Sequence, residues 1–209
     1  MNLTKETEKY VLEHPSIKDT LNKGLINYSK LSRQIIKELN LKEKDFDAVL
    51  VALRRLEYNL KKKKSFEKQI KDLLKNTKLE TKNKMIVCIV EKNIFYNNLL
   101  ELQKEIKNQK GEIHIVEGVH AITLITSQEF EEIINKYFKN NIIKKSKNLV
   151  EIIMRSPESL EDVPGVMGYL YSLFSQYGIN IVETMSCWTD TIFVIAEKDL
   201  EKTMKILSF

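Results

Sequence analysis

A short loop with an acidic residue, a proline and a glycine contains the groups best suited to binding a small charged molecule. It consists of Asp162, Val163, Pro164, Gly165 and Val166, and it precedes a predicted helix. The first turn of a helix offers unpaired backbone N–H groups and the positive end of the helix dipole, which together bind a carboxylate. Gly165 lets a ligand approach the backbone closely. The Asp162 carboxylate can pair with an ammonium group, so the loop suits a ligand that carries both charges.

Two residues at the start of a later strand complete the candidate site. Asn180 can both donate and accept hydrogen bonds, and Ile181 follows it. A second interpretation stays open from the residues alone, in which Asp162 only caps the helix and Asn180 only ends a turn.

Periodicity predicts the elements that position these residues. Residues 149–155 form a β-branched run typical of a strand. Pro164 fits the first turn of a helix, and Gly178 fits its left-handed end. Two strands and a closing helix follow, so the order of elements is βαββα, half of an α+β sandwich. The apolar positions of the first helix are Val166, Leu170, Leu173, Phe174 and Tyr177.

The segments DVPGV, GINIVETMSC and TDTIFVI resemble the ACT domain of aspartokinases, and still more the small archaeal ACT-domain regulators of amino-acid metabolism. Residues 13–17 and 27–29 are similar to the N-terminal region of those small proteins. The resemblance implies a ferredoxin-like fold that binds an amino acid or a related metabolite. It also implies that the loop 162–166 and the strand start at Asn180 line the effector site, between neighbouring ACT domains.

A degenerate copy of the same order precedes this domain. Residues 84–147 again predict βαββα, whereas 148–209 form the better ACT match. Asn93-Ile94-Phe95 stands where the Pro-Gly turn would be, which puts ligand binding by the first copy in doubt. The closing helix of the second copy leaves no room for a fourth strand. We therefore expect the copies to share a continuous surface and two chains to form a homodimer through the ACT domains.

The N-terminal part predicts a different kind of domain. Residues 1–60 are helical throughout, and a longer amphipathic helix from about Glu43 follows a short turn, the spacing of a helix-turn-helix. Residues 61–83 predict a lysine-rich helical linker that becomes extended at residues 79–82. The candidate phosphate contacts are Lys44, Arg54, Arg55, Lys61 and Lys62, within a basic run that continues to Lys64.

Acidic residues oppose the DNA interpretation. Glu43, Asp45 and Asp47 would meet the bases and backbone at the start of the reading helix. A helical bundle that dimerises or docks on the sensor is the alternative. The uneven distribution of charge indicates that the two parts of the chain have different functions. Residues 1–83 hold 20 Lys+Arg against 12 Asp+Glu, whereas residues 84–209 hold 14 against 17.

Two functions therefore remain. One is a ligand-responsive transcription regulator with a helical DNA reader and a tandem ACT sensor. The other is a regulatory subunit that confers feedback on an enzyme of amino-acid biosynthesis. Each has a small amino-acid effector, and neither requires a cofactor.

Several classes of protein are not expected. The six glycines build no phosphate loop, and His14, His114 and His120 lack metal-ligand spacing, so we predict neither an enzyme nor a metal site. The charged start and the lack of a long apolar run predict a cytoplasmic protein without a membrane span. Cys88 and Cys187 lie in predicted strands, which indicates buried structural roles.

Overall fold

The computed structural model describes residues 2–62, 66–92 and 96–209. The chain divides into two compact units, residues 1–65 and residues 66–209. The predictions made for Asn93-Ile94-Phe95 and for Lys63 and Lys64 lie outside the described residues.

The first unit is helical. Its elements are α1 (Leu3–Glu13), α2 (Pro15–Asn22), α3 (Tyr28–Glu38), a 3-10 turn (Glu43–Asp45) and α4 (Phe46–Lys61). The Asn27 side chain accepts a hydrogen bond from the backbone N–H of Lys30 and so starts α3. The apolar faces of the helices enclose a core that includes Val11, Leu21, Ile35 and Leu53.

The second unit places helices on an antiparallel sheet. Its elements are α5 (Glu67–Lys75), β1 (Lys78–Glu91), α6 (Tyr96–Asn108), β2 (Ile113–Glu117), β3 (Ala121–Ser127), α7 (Glu131–Phe138), β4 (Ile142–Arg155), α8 (Val166–Gln176), β5 (Ile181–Cys187), β6 (Asp190–Ala196) and α9 (Leu200–Ile206). The sheet has six strands in the order β2-β3-β1-β4-β6-β5. Strands β2 and β5 are therefore its edges.

The two long central strands, β1 and β4, each serve both halves of the sheet. Lys82 pairs with Glu151, and the equivalent pair in the other half is Val87 with Ser146. Met85 lies opposite Leu149 at the centre of the ladder. Both strands bend just before that centre through residues with positive φ, Lys84 at 53° and Asn148 at 55°. The ladder is thus nearly two-fold symmetric.

The fourth strand of the second ACT-like half comes from the start of β1. Residues 78–82 pair with residues 151–155, whereas β3 pairs with β1 only from Met85 onward. The sheet is continuous across both halves, as the absence of a fourth strand after α9 predicted. The helix predicted within residues 61–83 corresponds to α5, and the predicted extended residues 79–82 lie at the start of β1. Both belong to the second unit rather than to a separate linker. The sequence did not show which strand these residues pair with, since only Leu79 packs against the core.

Helices cover one face of the sheet in two separate cores. The core of the second half joins Ile70 of α5 to Leu170 and Phe174 of α8 and to Phe193 of β6. The core of the first half joins α6 and α7 to β1 and β3 around Leu102, Ile106, Leu124 and Phe138. A smaller apolar cluster on the opposite face joins the halves, and it contains Met85, Val87, Ile125, Leu149 and Val194.

The two cysteines differ in environment. Cys88 is buried, and burial raises the pKa of its thiol to about 11. Cys187 is exposed at the end of β5, so the prediction of a buried role is wrong for this residue. Its position beside the hairpin turn explains the difference. No helix among the described residues has the length and apolar character needed to cross a membrane.

Because residues 78–82 complete the second half, a chain shortened to 66–209 should unfold in one cooperative thermal transition. A chain shortened to 84–209 should aggregate or melt without cooperativity, since it exposes the unpaired edge of β4 and loses the α5 side chains from the core. Calorimetry and light scattering measure both properties. A cooperative, monodisperse 84–209 fragment would contradict the shared-strand arrangement.

Candidate effector-binding site

The loop before α8 ends in an uncapped helix start. Gly165 has φ 93° and ψ 0°, a left-handed conformation that glycine adopts without strain, and α8 begins at Val166. Pro164 therefore lies ahead of the helix, whereas the sequence predicted it in the first turn. No side chain in the described part of the chain caps α8, so its first N–H groups offer an anion site.

Asp162 does not cap the helix. It closes a 3-10 turn, is exposed, and makes no hydrogen bond or ion pair with a residue in the described ranges. The capping interpretation therefore fails for this residue. Val163 packs against the core of the second half, which anchors the loop. A Cβ added to Gly165 would lie 3.5 Å from Ile70 Cδ1, so α5 flanks the turn.

An open groove of about 470 Å³ runs between the C-terminal part of α8 and the edge strand β5. Asn180 and Ile181, both predicted as site residues, line it. The other lining residues are Tyr171, Phe174, Ser175, Ile179, Val182, Glu183 and Thr184. The groove combines an apolar floor with a few polar groups, as small-molecule sites usually do.

Glu183 is the residue of this groove that the sequence analysis missed. Burial raises the pKa of its carboxyl group. The carboxylate makes no hydrogen bond or ion pair within the described part of the chain, so it remains available for a cationic group. The nearby Tyr171 hydroxyl donates to Thr184 Oγ1 at 3.4 Å. The one sequence signal was a single acidic residue within a predicted strand.

The structure does not bring all the predicted residues together in one chain. Asn180 and Ile181 lie in the groove beside the C-terminal end of α8, whereas residues 162–166 lie at its N-terminal end. The helix has 11 residues, so about 16 Å of helix separates the two groups. A site that uses both groups needs a second copy of the chain.

The candidate DNA-binding residues lie in the first unit. Arg54 and Arg55 are exposed on α4, and Lys62 is exposed just after its end. The Arg54 guanidinium lies 5.9 Å from the centre of the Tyr28 ring. Lys61 differs from them, because its ammonium pairs with Glu57 at 2.7 Å.

Lys44 is exposed in the 3-10 turn before α4. Next to it, the Asp45 carboxylate accepts a hydrogen bond from the Lys42 backbone N–H at 3.1 Å. Asp45 therefore has a structural role at the start of α4, and its carboxylate remains part of the electrostatic objection to DNA.

Across the described ranges, no group of three or more His, Cys, Asp or Glu side chains is arranged to hold a metal ion.

No family model and no curated protein matches the chain. Among solved structures, the chain is similar to an aspartate kinase from Clostridium acetobutylicum, described as an important allosteric enzyme, with 15% identity and a TM-score of 0.53. That similarity covers 62% of this chain and 33% of the enzyme, so this chain spans about a third of its length. A structure of aspartokinase alpha and beta subunits gives 12% identity and a TM-score of 0.50, over 62% of this chain and 93% of that one. The α+β fold is thus that of aspartokinase regulatory, ACT-domain structures, as the sequence resemblance predicted.

Proposed function

We propose that the chain is an amino-acid-sensing regulatory protein that catalyses no reaction itself. The observation that carries this proposal is the open groove beside β5, in which a half-buried carboxylate without a partner, Glu183, lies near Asn180. The uncapped start of α8 adds a carboxylate-binding group. The shared fold with an enzyme described as allosteric agrees with a regulatory role.

A homodimer through β5 would complete the site. Edge strands expose unpaired backbone groups that readily pair with another strand. Antiparallel pairing of two β5 strands would place Asn180 of one chain beside the Cys187 end of its partner's strand. The loop to α8 starts at that end, because the Ser156 N–H donates to the Thr189 carbonyl at 2.9 Å. Each groove would then face the partner's α8 N-terminus.

Chemical roles follow from this arrangement. The free N–H groups of one α8 hold the carboxylate of the amino acid, and Glu183 of the facing groove accepts from its ammonium group. Asn180 donates or accepts beside them, and the Asp162 carboxylate also accepts from the ligand ammonium group. Ile181 and Phe174 supply apolar contact for the ligand side chain.

For the output, we propose ligand-responsive control of transcription through α4. Its exposed face carries Arg54 and Arg55. Lys62 follows the last turn, and its ammonium lies 4.2 Å from the centre of the Tyr58 ring. The second candidate is a regulatory subunit of an amino-acid biosynthetic enzyme. Exposed Glu43 and Asp47 on the approach to α4 favour it, as does the fold shared with an aspartate kinase.

Glu183→Gln should make the protein more stable at pH 7 but insensitive to its ligand. Because burial raises the Glu183 pKa above its unfolded value, the folded state binds the proton more tightly, and wild-type stability falls as pH rises through that interval. The variant removes this penalty, so its melting temperature should exceed that of the wild type at pH 7, and the difference should vanish below about pH 4. Thermal melts with and without amino acids test both effects. Exposed Glu197→Gln is the control, and retained ligand response in Glu183→Gln would contradict the groove assignment.

Asp162→Ala should weaken the response to amino acids without changing the stability of the free protein by more than about 0.5 kcal/mol, because this side chain has no partner in the described structure. In the wild type, a hundredfold excess of ligand over Kd should add about 2.7 kcal/mol. Fluorescence of Trp188, the single tryptophan, adds a second readout from the hairpin beside the loop. The neighbouring Glu161→Ala is the control. Gly165→Val is a poorer test, since φ 93° would strain valine and destabilise the free protein.

If DNA is the partner, replacing Arg54 and Arg55 with Ala should weaken binding by a similar factor on all sequences. The slope of log affinity against log salt should fall by about one for each phosphate that the variant no longer neutralises. Lys5 and Lys18, exposed on α1 and α2, provide a charge-matched double-Ala control. No binding by the intact protein at low salt, with or without amino acids, would eliminate the reader and leave the enzyme-subunit alternative.

A further inference from the structure

A second pocket lies on the first half of the sheet, away from the β5 groove. It has a volume of about 250 Å³ and forms where the α6–β2 corner meets β1 and β4. The lining groups that matter here are Lys82, Lys110, Gly111, Glu112, His114 and Glu151. It is smaller than the 300–1,000 Å³ typical of drug-sized sites, so its ligand must be small.

Glu151 is the central group of this pocket. Its side chain is 0% exposed, and its two oxygens lie 3.2 Å from Lys82 Nζ and 3.1 Å from His114 Nε2. These are ion-pair distances, and each carboxylate oxygen has one such contact. An ionised carboxylate can accept about four hydrogen bonds, so Glu151 has acceptor positions to spare.

Glu151 and Lys82 are both ionised at neutral pH. Burial raises the pKa of Glu151, but the contacts with His114 and Lys82 outweigh it, and the pKa lies below its ordinary value. Burial lowers the pKa of Lys82, yet Glu112 and Glu151 raise it further, so Lys82 remains an ammonium. The pocket thus presents fixed charges of both signs at close range.

The other half of the sheet shows that the fold does not need these charges. Equivalent pairs in the β1–β4 ladder match Lys82 with Ser146 and Glu151 with Val87. His114 follows Ile113 in the edge strand as Val182 follows Ile181.

The correspondence of His114 with Val182 is supported by equivalent backbone hydrogen bonds. The Gly111 N–H donates to the Ile106 carbonyl, and the Ile179 N–H donates to the Phe174 carbonyl, both at 2.9 Å. Val87 and Val182 belong to the apolar cluster that joins the two halves. One half therefore packs valines where the other buries the Glu151 carboxylate beside the partly exposed Lys82 and His114, and burying a charge is costly.

We propose that this pocket is a second ligand site, separate from the β5 groove, for a small zwitterion of the α-amino acid class. The ligand ammonium donates to the open positions on the Glu151 carboxylate, and its carboxylate accepts from His114, Lys82 and Lys110. Glu112, mostly exposed, closes the cationic side by pairing with Lys82. This inference goes beyond the proposed function, because it adds a site in the half that lacks the Pro-Gly turn.

Calorimetric titration with each of the twenty amino acids tests the pocket. The decisive variant gives the pocket the residues of the other half: Lys82→Ser, His114→Val and Glu151→Val together. The wild type should bind one amino acid per groove and one per pocket. The triple variant should lose the molecule bound in the pocket, keep the one bound in the groove, and keep or raise its melting temperature. Glu80→Gln, an exposed acid on the same strand, should bind like the wild type. Glu151→Gln, which preserves shape, serves if the triple variant fails to fold.

The same titrations separate this inference from the proposed function. Binding that survives Glu183→Gln but disappears in the triple variant supports the pocket and overturns the groove. The pocket inference is overturned if Glu183→Gln removes all binding, or if the triple variant binds as many amino-acid molecules as the wild type. Either result leaves the assignment of the groove intact.

Histidine NMR supplies an independent readout, because the chain has only three histidines. A saturating amino acid should move the ring signals of His114 but not those of His14 and His120. An unmoved His114 signal at saturation would overturn the pocket.

Discussion

The pairing of β1 with β4 is the constraint on which the rest of the second unit depends. Each strand provides a central strand to one half and the fourth strand to the other, so neither half is complete alone. The arrangement carries a backbone cost, because Lys84 and Asn148 adopt left-handed conformations that non-glycine residues rarely take. Since both bends fall at equivalent positions just before the Met85–Leu149 centre, the strain belongs to the symmetric design of the sheet.

The packing around α8 provides a route by which ligand binding affects α5. Ile70 and Leu74 of α5 share one core with Leu170 and Phe174 of α8. A ligand that pulls on the first turn of α8 or on the β5 groove must repack this core, because close-packed interiors transmit strain rather than absorb it. The first element to respond would be α5, which follows the helical first unit directly along the chain. A ligand acts only through its differential affinity for two packings.

Local signals in the sequence predicted much of the fold, but not its tertiary features. The helical faces, the strand pairs and the βαββα order follow from periodicity and turn residues, as Val166, Leu170 and Phe174 illustrate. The extended conformation of residues 79–82 was predicted, but their pairing with β4 was not, since that partner lies about seventy residues further on and only Leu79 faces the core. Only part of the candidate site could be predicted, because the rest also depends on tertiary packing. The loop at Gly165 has a local signature, whereas Glu183 matters because tertiary packing buries it beside Asn180.

Comparison of the two halves separates what the fold requires from what it merely tolerates. Equivalent positions that are apolar in both halves, such as Met85 and Leu149, maintain the sheet. Positions that are apolar in one half and polar in the other are not needed to maintain the sheet. Examples lie at the α6–β2 corner and near the start of β5. At the first, Glu151 and His114 replace a pair of valines; at the second, Glu183 lies in an open groove. A carboxylate removed from water is costly to keep, and the buried Glu151 and the half-buried Glu183 each line a cavity, where a cationic ligand group would offset that cost.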